Sequence, residues 1–331
     1  MSEVNRELIL IGIDNAAFPP LLEVLEEREI IKAGQLRLLE EEESEVDPQV
    51  FANRNVPVES LEKFRFAPEQ VVVLLKGGAA AQAALTAAES AGAWVIDAAD
   101  NTRGDETVTL VHPMLNAAGL AEAERRVLAL PSAGAAMVAE ALLPLREQIQ
   151  AVEVVLNQPV SALGKSAVDA MAAQTAKMFN GQEADIDPSI GHRLAFNHLS
   201  SAEKPLASGH NLSELALIHD LRRLLGEQVA MDATINTASV FHGQVANLRV
   251  ALKDEAGVEK IAALLRNGAR LKMTERPSAQ EAVGGEETLV GRLRQSLLNP
   301  KQFNFCAASD NLRRDLAMNC AQVVHLLLKN H

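Results

Sequence analysis

Apolar positions along the chain fall into short continuous runs separated by helical patterns. Glu7 to Ile13 (ELILIGI) is an almost unbroken apolar run that stops at Asp14-Asn15, and Pro19-Pro20 then opens the helical pattern of Leu21 to Arg28. Such a run predicts a strand buried on both faces, and proline at a helix start costs no hydrogen bond because that N–H has no helical partner. Val71 to Leu75 (VVVLL) repeats the arrangement: it ends in Lys76-Gly77-Gly78, an alanine-rich helix follows to Ala91, and Ala93 to Asp97 (AWVID) is the next strand. Thr107 to Val111 continues the series. Strands alternating with helices predict a doubly wound α/β domain with a parallel sheet.

The chain then changes character. Arg126 to Met137 (RVLALPSAGAAM) is an apolar strand that breaks through a Pro-Ser-Ala-Gly turn into a long Ala/Leu-rich helix. That geometry aims backbone N–H groups and one side chain at whatever lies over the helix start, where anions and nucleophiles are handled. Yet Ser132 is the only hydroxyl there, and no residue from Leu130 to Met137 is a strong nucleophile, base or acid. Further on, Ala151 to Val160 is a strand, and Ser161 to Lys165 leads into the helix Ser166 to Phe179. Ala230 to Val240 and Gln244 to Leu252 alternate as strands of an antiparallel sheet with one covered face. Leu289 to Arg294 and Gln302 to Ala308 read as strands, and Asp310 to Lys329 as a final amphipathic helix. The second half is thus α+β.

Composition narrows the functions. At 331 residues, 48% hydrophobic and 23% charged, the chain can bury two moderate cores. A net charge of -13 argues against nucleic acid or an anionic membrane as partner. Only Cys306 and Cys320 are present, and neither a basic-apolar leader nor a membrane-length apolar run is visible, so a reducing cytoplasm is expected. The acidic run Glu40 to Glu45 predicts a solvated loop. His192 and His198, six apart without a Cys or acidic triad, do not make a zinc site, and no metal is expected. His242 sits two residues from Gln244 on an alternating pattern and is expected to share its face.

The turn after the first strand, Gly12-Ile13-Asp14-Asn15-Ala16-Ala17-Phe18, keeps one glycine of the three that a dinucleotide fingerprint needs. Asp14 brings a carboxylate to where phosphates would sit, and Phe18 fills the space of the third glycine. This predicts that NADP does not bind in the usual pose.

The segments Ser161 to Gly181 (SALGKSAVDAMAAQTAKMFNG), Arg193 to Leu199 (RLAFNHL), Val240 to Val250 (VFHGQVANLRV), Val290 to Arg294 (VGRLR) and Ser309 to Gln322 (SDNLRRDLAMNCAQ) are similar to aspartate-semialdehyde dehydrogenase, and in particular resemble its bacterial Usg-type paralogues. The resemblance implies a Rossmann-type domain over residues 1–126, completed by a C-terminal helix over 310–331, and a dimerisation domain with a mixed or antiparallel sheet over 127–309. Active members attack the aldehyde with a cysteine thiolate, use a histidine as acid and base, hold the substrate carboxylate with an arginine, and employ NADP with phosphate. Here the cysteine position is Ala133, the histidine position Gln244, the arginine position Thr237, and a substrate-binding lysine position Ala216. By the same resemblance Gly12, Gln158, Ser161 and Gly164 hold vestigial cofactor positions, and Arg103 with Asn116 an anion position. The expectation is a catalytically inactive homodimer, a scaffold or binding protein without a cofactor. The alternatives are an NADP-dependent semialdehyde dehydrogenase working through other residues, and a subunit that pairs with an active paralogue.

Overall fold

The computed structural model describes residues 6–41 and 47–330. The chain forms two compact units, one of Met1–Pro131 with Leu316–His331 and one of Ser132–Asp315. Their boundaries lie a few residues beyond those expected, because the strand Val127–Ala129 pairs in the first unit's sheet.

In the first unit the chain runs through β1 (Glu7–Ile11), α1 (Phe18–Glu27), β2 (Leu36–Glu40), a small hairpin of β3 (Gln49–Phe51) and β4 (Arg54–Val56), β5 (Val58–Ser60), β6 (Gln70–Leu74), α2 (Ala79–Ser90), β7 (Trp94–Asp97), β8 (Thr109–Leu110) and β9 (Val127–Ala129). Seven strands form one sheet in the order β5-β2-β1-β6-β7-β9-β8. Every pairing in it is parallel. The continuous apolar runs follow from this, since the sheet buries both its faces. Leu8, Leu10, Val73, Ile96 and Leu128 pack in one core with Cys320, Val323, Val324 and Leu327 from the C-terminal helix Asn319–Asn330. Each fully buried Leu or Val there contributes roughly 1.5–3 kcal/mol. The chain leaves β1 outward to β2 and β5, then returns to β6 on the other side of β1. The carboxyl ends of β1 and β6 therefore form the switch point of the sheet, where open α/β folds bind ligands.

The second unit holds α3 (Ala133–Leu142), β10 (Ile149–Gln158), α4 (Lys165–Phe179), β11 (His198–Leu199), α5 (Leu212–Leu225), β12 (Ala230–Ala238), β13 (Gln244–Leu252), α6 (Val258–Arg266), β14 (Leu271–Met273), a short α7 (Ala279–Ala282), β15 (Thr288–Gln295) and β16 (Gln302–Ser309). Its sheet, in the order β11-β12-β10-β13-β16-β15-β14, is mixed and not purely antiparallel, because β10 pairs with β12 in parallel and β14 with β15. Side chains alternate as the sequence predicts: Val152, Val154, Leu156, Ala246, Leu248 and Val250 are buried, while Glu153, Val155, Asn247 and Arg249 point outward. The predicted final helix begins later than Asp310, since Arg313–Met318 is wound as a wider π-helix before the α-helix starts.

Candidate active site

In the second unit two of the positions expected to carry chemistry, Ala133 and Gln244, meet at the start of α3, and the third, Thr237, lies at the end of β12 beside Gln158. Ser132 is the N-cap of this helix; its Oγ accepts the Ala135 N–H at 3.3 Å, and its own N–H donates to the buried Asp220 carboxylate at 2.9 Å. Ala133 is the first helical residue. The buried Gln244 side chain lies against it, its Nε2 donating to the Ala133 carbonyl at 2.9 Å and to Asp315 Oδ2 at 2.8 Å. A Cβ on Gly134 would stand 2.6 Å from Leu156 Cδ2, so a larger residue there requires the Leu156 side chain to move. Thr237 is buried and its Oγ1 accepts from Gln158 Nε2 at 3.2 Å. A methyl group and a neutral amide are thus brought together at the helix start. Ala216 is half-buried on α5, the helix that contributes Asp220.

Behind this helix end lies a cluster of buried charges that the sequence reading missed. Glu140 is one of the residues of α3 that are buried on every side, and its carboxylate pairs with the Arg314 guanidinium, with Arg270 at 3.7 Å. Arg314 also pairs with Asp315, which accepts from Ser309 Oγ. A lone acid inside AAMVAEALL and an RRD triplet inside an apolar helix were the available signals. Burial pushes the Asp315 carboxyl up to about 6, against the pull of the Arg314 charge and the Ser309 hydroxyl. A proton retained in the fold but lost from the unfolded chain stabilises most below the ordinary value of 3.8, and this stability fades as pH rises through about 6. Asp315→Asn should therefore flatten the stability profile between these limits in urea titrations. An unchanged slope would show that the proton is held elsewhere in the cluster.

His242 does not share the face of Gln244. It lies exposed in the turn before β13, and only Gly243, with φ +82°, separates it from the buried strand start. A Cβ on Gly243 would meet the Ala279 carbonyl oxygen at 2.5 Å, so the turn is fixed and His242 is held in solvent. Ser161 Oγ accepts from Asn311 Nδ2 at 3.0 Å, and Gly164 takes φ +100° before α4 with open space around its Cα. Among the described residues no group of acidic, histidine or cysteine side chains is arranged to hold a metal. Cys306 is buried and donates to Asn247 Oδ1 at 3.1 Å; Cys320 is buried and its thiol is pushed up to about 12. Both are inert by burial.

The first unit contains the turn where a dinucleotide would bind. Gly12 takes φ +97°, and Lys76 lies so close that a Cβ on Gly12 would meet its Cβ, Cγ and N at 3.0 Å. Asp14 is exposed in this turn and its charge acts on Lys76, while the buried carboxylate beside it is that of Glu40 at the end of β2. Glu40 Oε2 accepts the Ile13 N–H at 3.2 Å, and Oε1 pairs with the Lys76 ammonium. Glu40 is 8% exposed, so the first member of the acidic run is a buried ligand and not part of a solvated loop; residues 42–46 lie outside the described residues. Nor does Phe18 enter the turn, since its ring belongs to the core beneath α1. Arg103 donates to the carbonyls of Leu130 at 3.2 Å and Ala99 at 2.5 Å and pairs with Asp100 at 3.2 Å. Asn116 accepts the His112 N–H and donates to the Leu110 carbonyl, both at 2.7 Å.

A family described as semialdehyde dehydrogenase, dimerisation domain, matches residues 142–314. The chain is 26% identical over 330 residues to "Aspartate-semialdehyde dehydrogenase 2" of Vibrio cholerae, covering 97% of each chain. It is 28% identical over 333 residues to a "USG-1 protein homolog" of Azotobacter vinelandii, covering 98% of each. Among solved structures, the Vibrio cholerae aspartate semialdehyde dehydrogenase II complexed with ASA superposes with a TM-score of 0.92 at 26% identity, covering 98% of both chains. No helix among the described residues is long and apolar enough to cross a membrane.

Proposed function

Because the chain belongs to the semialdehyde dehydrogenase family, we propose that it keeps that family's architecture without its covalent chemistry and acts as a dimeric binding or scaffold protein. One observation carries this reading: at the start of α3 the Ala133 methyl stands where a nucleophile is needed, and the Gln244 amide is bonded to the Ala133 carbonyl. A methyl cannot attack an aldehyde carbon, and an amide takes up no proton near neutrality. Thr237 offers a buried hydroxyl where recognition of a carboxylate calls for a guanidinium. Ser132 is poorly placed to substitute: its oxygen caps α3, and the Asp220 carboxylate accepts from its backbone N–H and not from its hydroxyl.

The partner that fits is a second copy. The outward sheet face bearing Val155, Asn157 and the Glu153–Arg249 pair supports this, as does the description of the matched family. Sedimentation equilibrium should give twice the chain mass. Intact-mass spectrometry after incubation with aspartate semialdehyde, phosphate and NADP should show the unmodified polypeptide. An acyl or hemithioacetal adduct on any side chain would overturn the reading and favour a dehydrogenase acting through other residues.

A further inference from the structure

A dinucleotide of the kind this fold class accommodates should rest its pyrophosphate on the turn after β1, against free backbone N–H groups at the switch point of the sheet. The residues present do not fit it. The Ile13 N–H is taken by Glu40 Oε2 at 3.2 Å, and the Ala17 N–H by Asn15 Oδ1 at 2.8 Å. Asn15 Nδ2 in turn ties the turn to the Leu75 carbonyl at 2.7 Å, on the strand across the switch point. Lys76 follows that strand and lays its stem against Gly12, closing the space that glycine would leave for a phosphate.

We propose that Glu40 is a built-in substitute for the phosphate, held in the anion cradle by the Ile13 N–H and the Lys76 ammonium, and that it shuts dinucleotides out of the first unit. The charges support this. Lys76 alone could attract a phosphate, but Glu41 lies 3.1 Å from its Nζ in addition to Glu40, so one cation serves two carboxylates. An incoming anion would meet net negative charge and an N–H already in use. The site is also sheltered: Glu40 and Lys76 side chains are only 10% and 19% exposed, so solvent screens the repulsion weakly. Because Glu41 remains as a partner for Lys76, removing Glu40 does not strand a charge, and the substitution leaves the sheet intact.

The test is NADPH titration of the full chain by fluorescence and calorimetry, with inorganic pyrophosphate as a second probe, comparing wild type with Glu40→Ala and Glu40→Gln. The wild type should show no saturable binding up to about 1 mM, and Glu40→Ala should bind at least about tenfold tighter than that limit. Glu40→Gln, whose amide oxygen can still accept the Ile13 N–H, should bind more weakly than Glu40→Ala. NADPH binding by the wild type as tight as by Glu40→Ala would overturn the inference. So would absence of binding by a Glu40→Ala protein whose melting temperature matches the wild type, because something else would then close the cradle. Neither result bears on Ala133: a wild type that binds NADPH without turnover removes this inference and leaves the proposed lack of covalent chemistry standing.

Discussion

Purified protein supplied with aspartate semialdehyde, inorganic phosphate and NADP should reduce NADP at a rate at least about 10⁴-fold below that of a relative carrying the cysteine, followed as absorbance of the reduced nicotinamide. The size of the deficit follows from the site. Covalent catalysis divides one hard step into two easier ones, and under the proposed assignment of Ala133 to the nucleophile position the first of them has no reagent. Loss of the base at Gln244 adds little further cost, because nucleophile and base act as a unit. For the same reason Ala133→Cys alone should not recover turnover. It should, however, create a thiol at a helix start, where the backbone field lowers the pKa, so iodoacetamide should label the variant and leave the wild type, with its two buried thiols, unlabelled. Turnover by the wild type would show that some group outside the start of α3 does the chemistry.

Arg314→Ala should destabilise the fold by about 3–5 kcal/mol, the cost of stripping the partner from a buried ion pair. Two carboxylates depend on this guanidinium, Glu140 inside α3 and Asp315 beside it, and the Arg314 and Glu140 side chains are 0% and 2% exposed. Although burial works to lower it, the guanidinium is held above its ordinary value by Asp315 and Glu140, so it stays charged and cannot escape by deprotonation. Glu140→Leu paired with Arg314→Met should cost less than the sum of the two single substitutions, since both charges of that pair then leave together, although Asp315 loses its guanidinium wherever Arg314 is replaced. Urea midpoints of the two single variants and the double variant measure this coupling directly. Additive losses would show that the two residues do not act on one another.

The parallel sheet was legible in the sequence because β1, β6 and β7 are buried on both faces and read as unbroken apolar runs. The start of α3 was legible as well: the proline, the capping serine and the helix after them are local signals. What escaped were pairings between distant residues. Glu40 reads as the first of a run of solvated acids, and nothing near it in the sequence reveals that Lys76 and the Ile13 N–H face it. Glu140, Arg314 and Asp315 meet only through packing, so neither periodicity nor composition pairs them. His242 failed for a related reason: the alternation of β13 was extended one residue pair too far, into a turn held by Gly243.

The C-terminal helix supplies Cys320, Val323, Val324 and Leu327 to the core of the first unit. During synthesis this segment emerges from the ribosome only after the whole of the second unit. The amino-terminal sheet, although translated first, must therefore wait with one apolar flank bare, a period in which chaperones have the most to protect. Maturation thus runs against the order of translation, with the early half sealed by a segment made after the second unit.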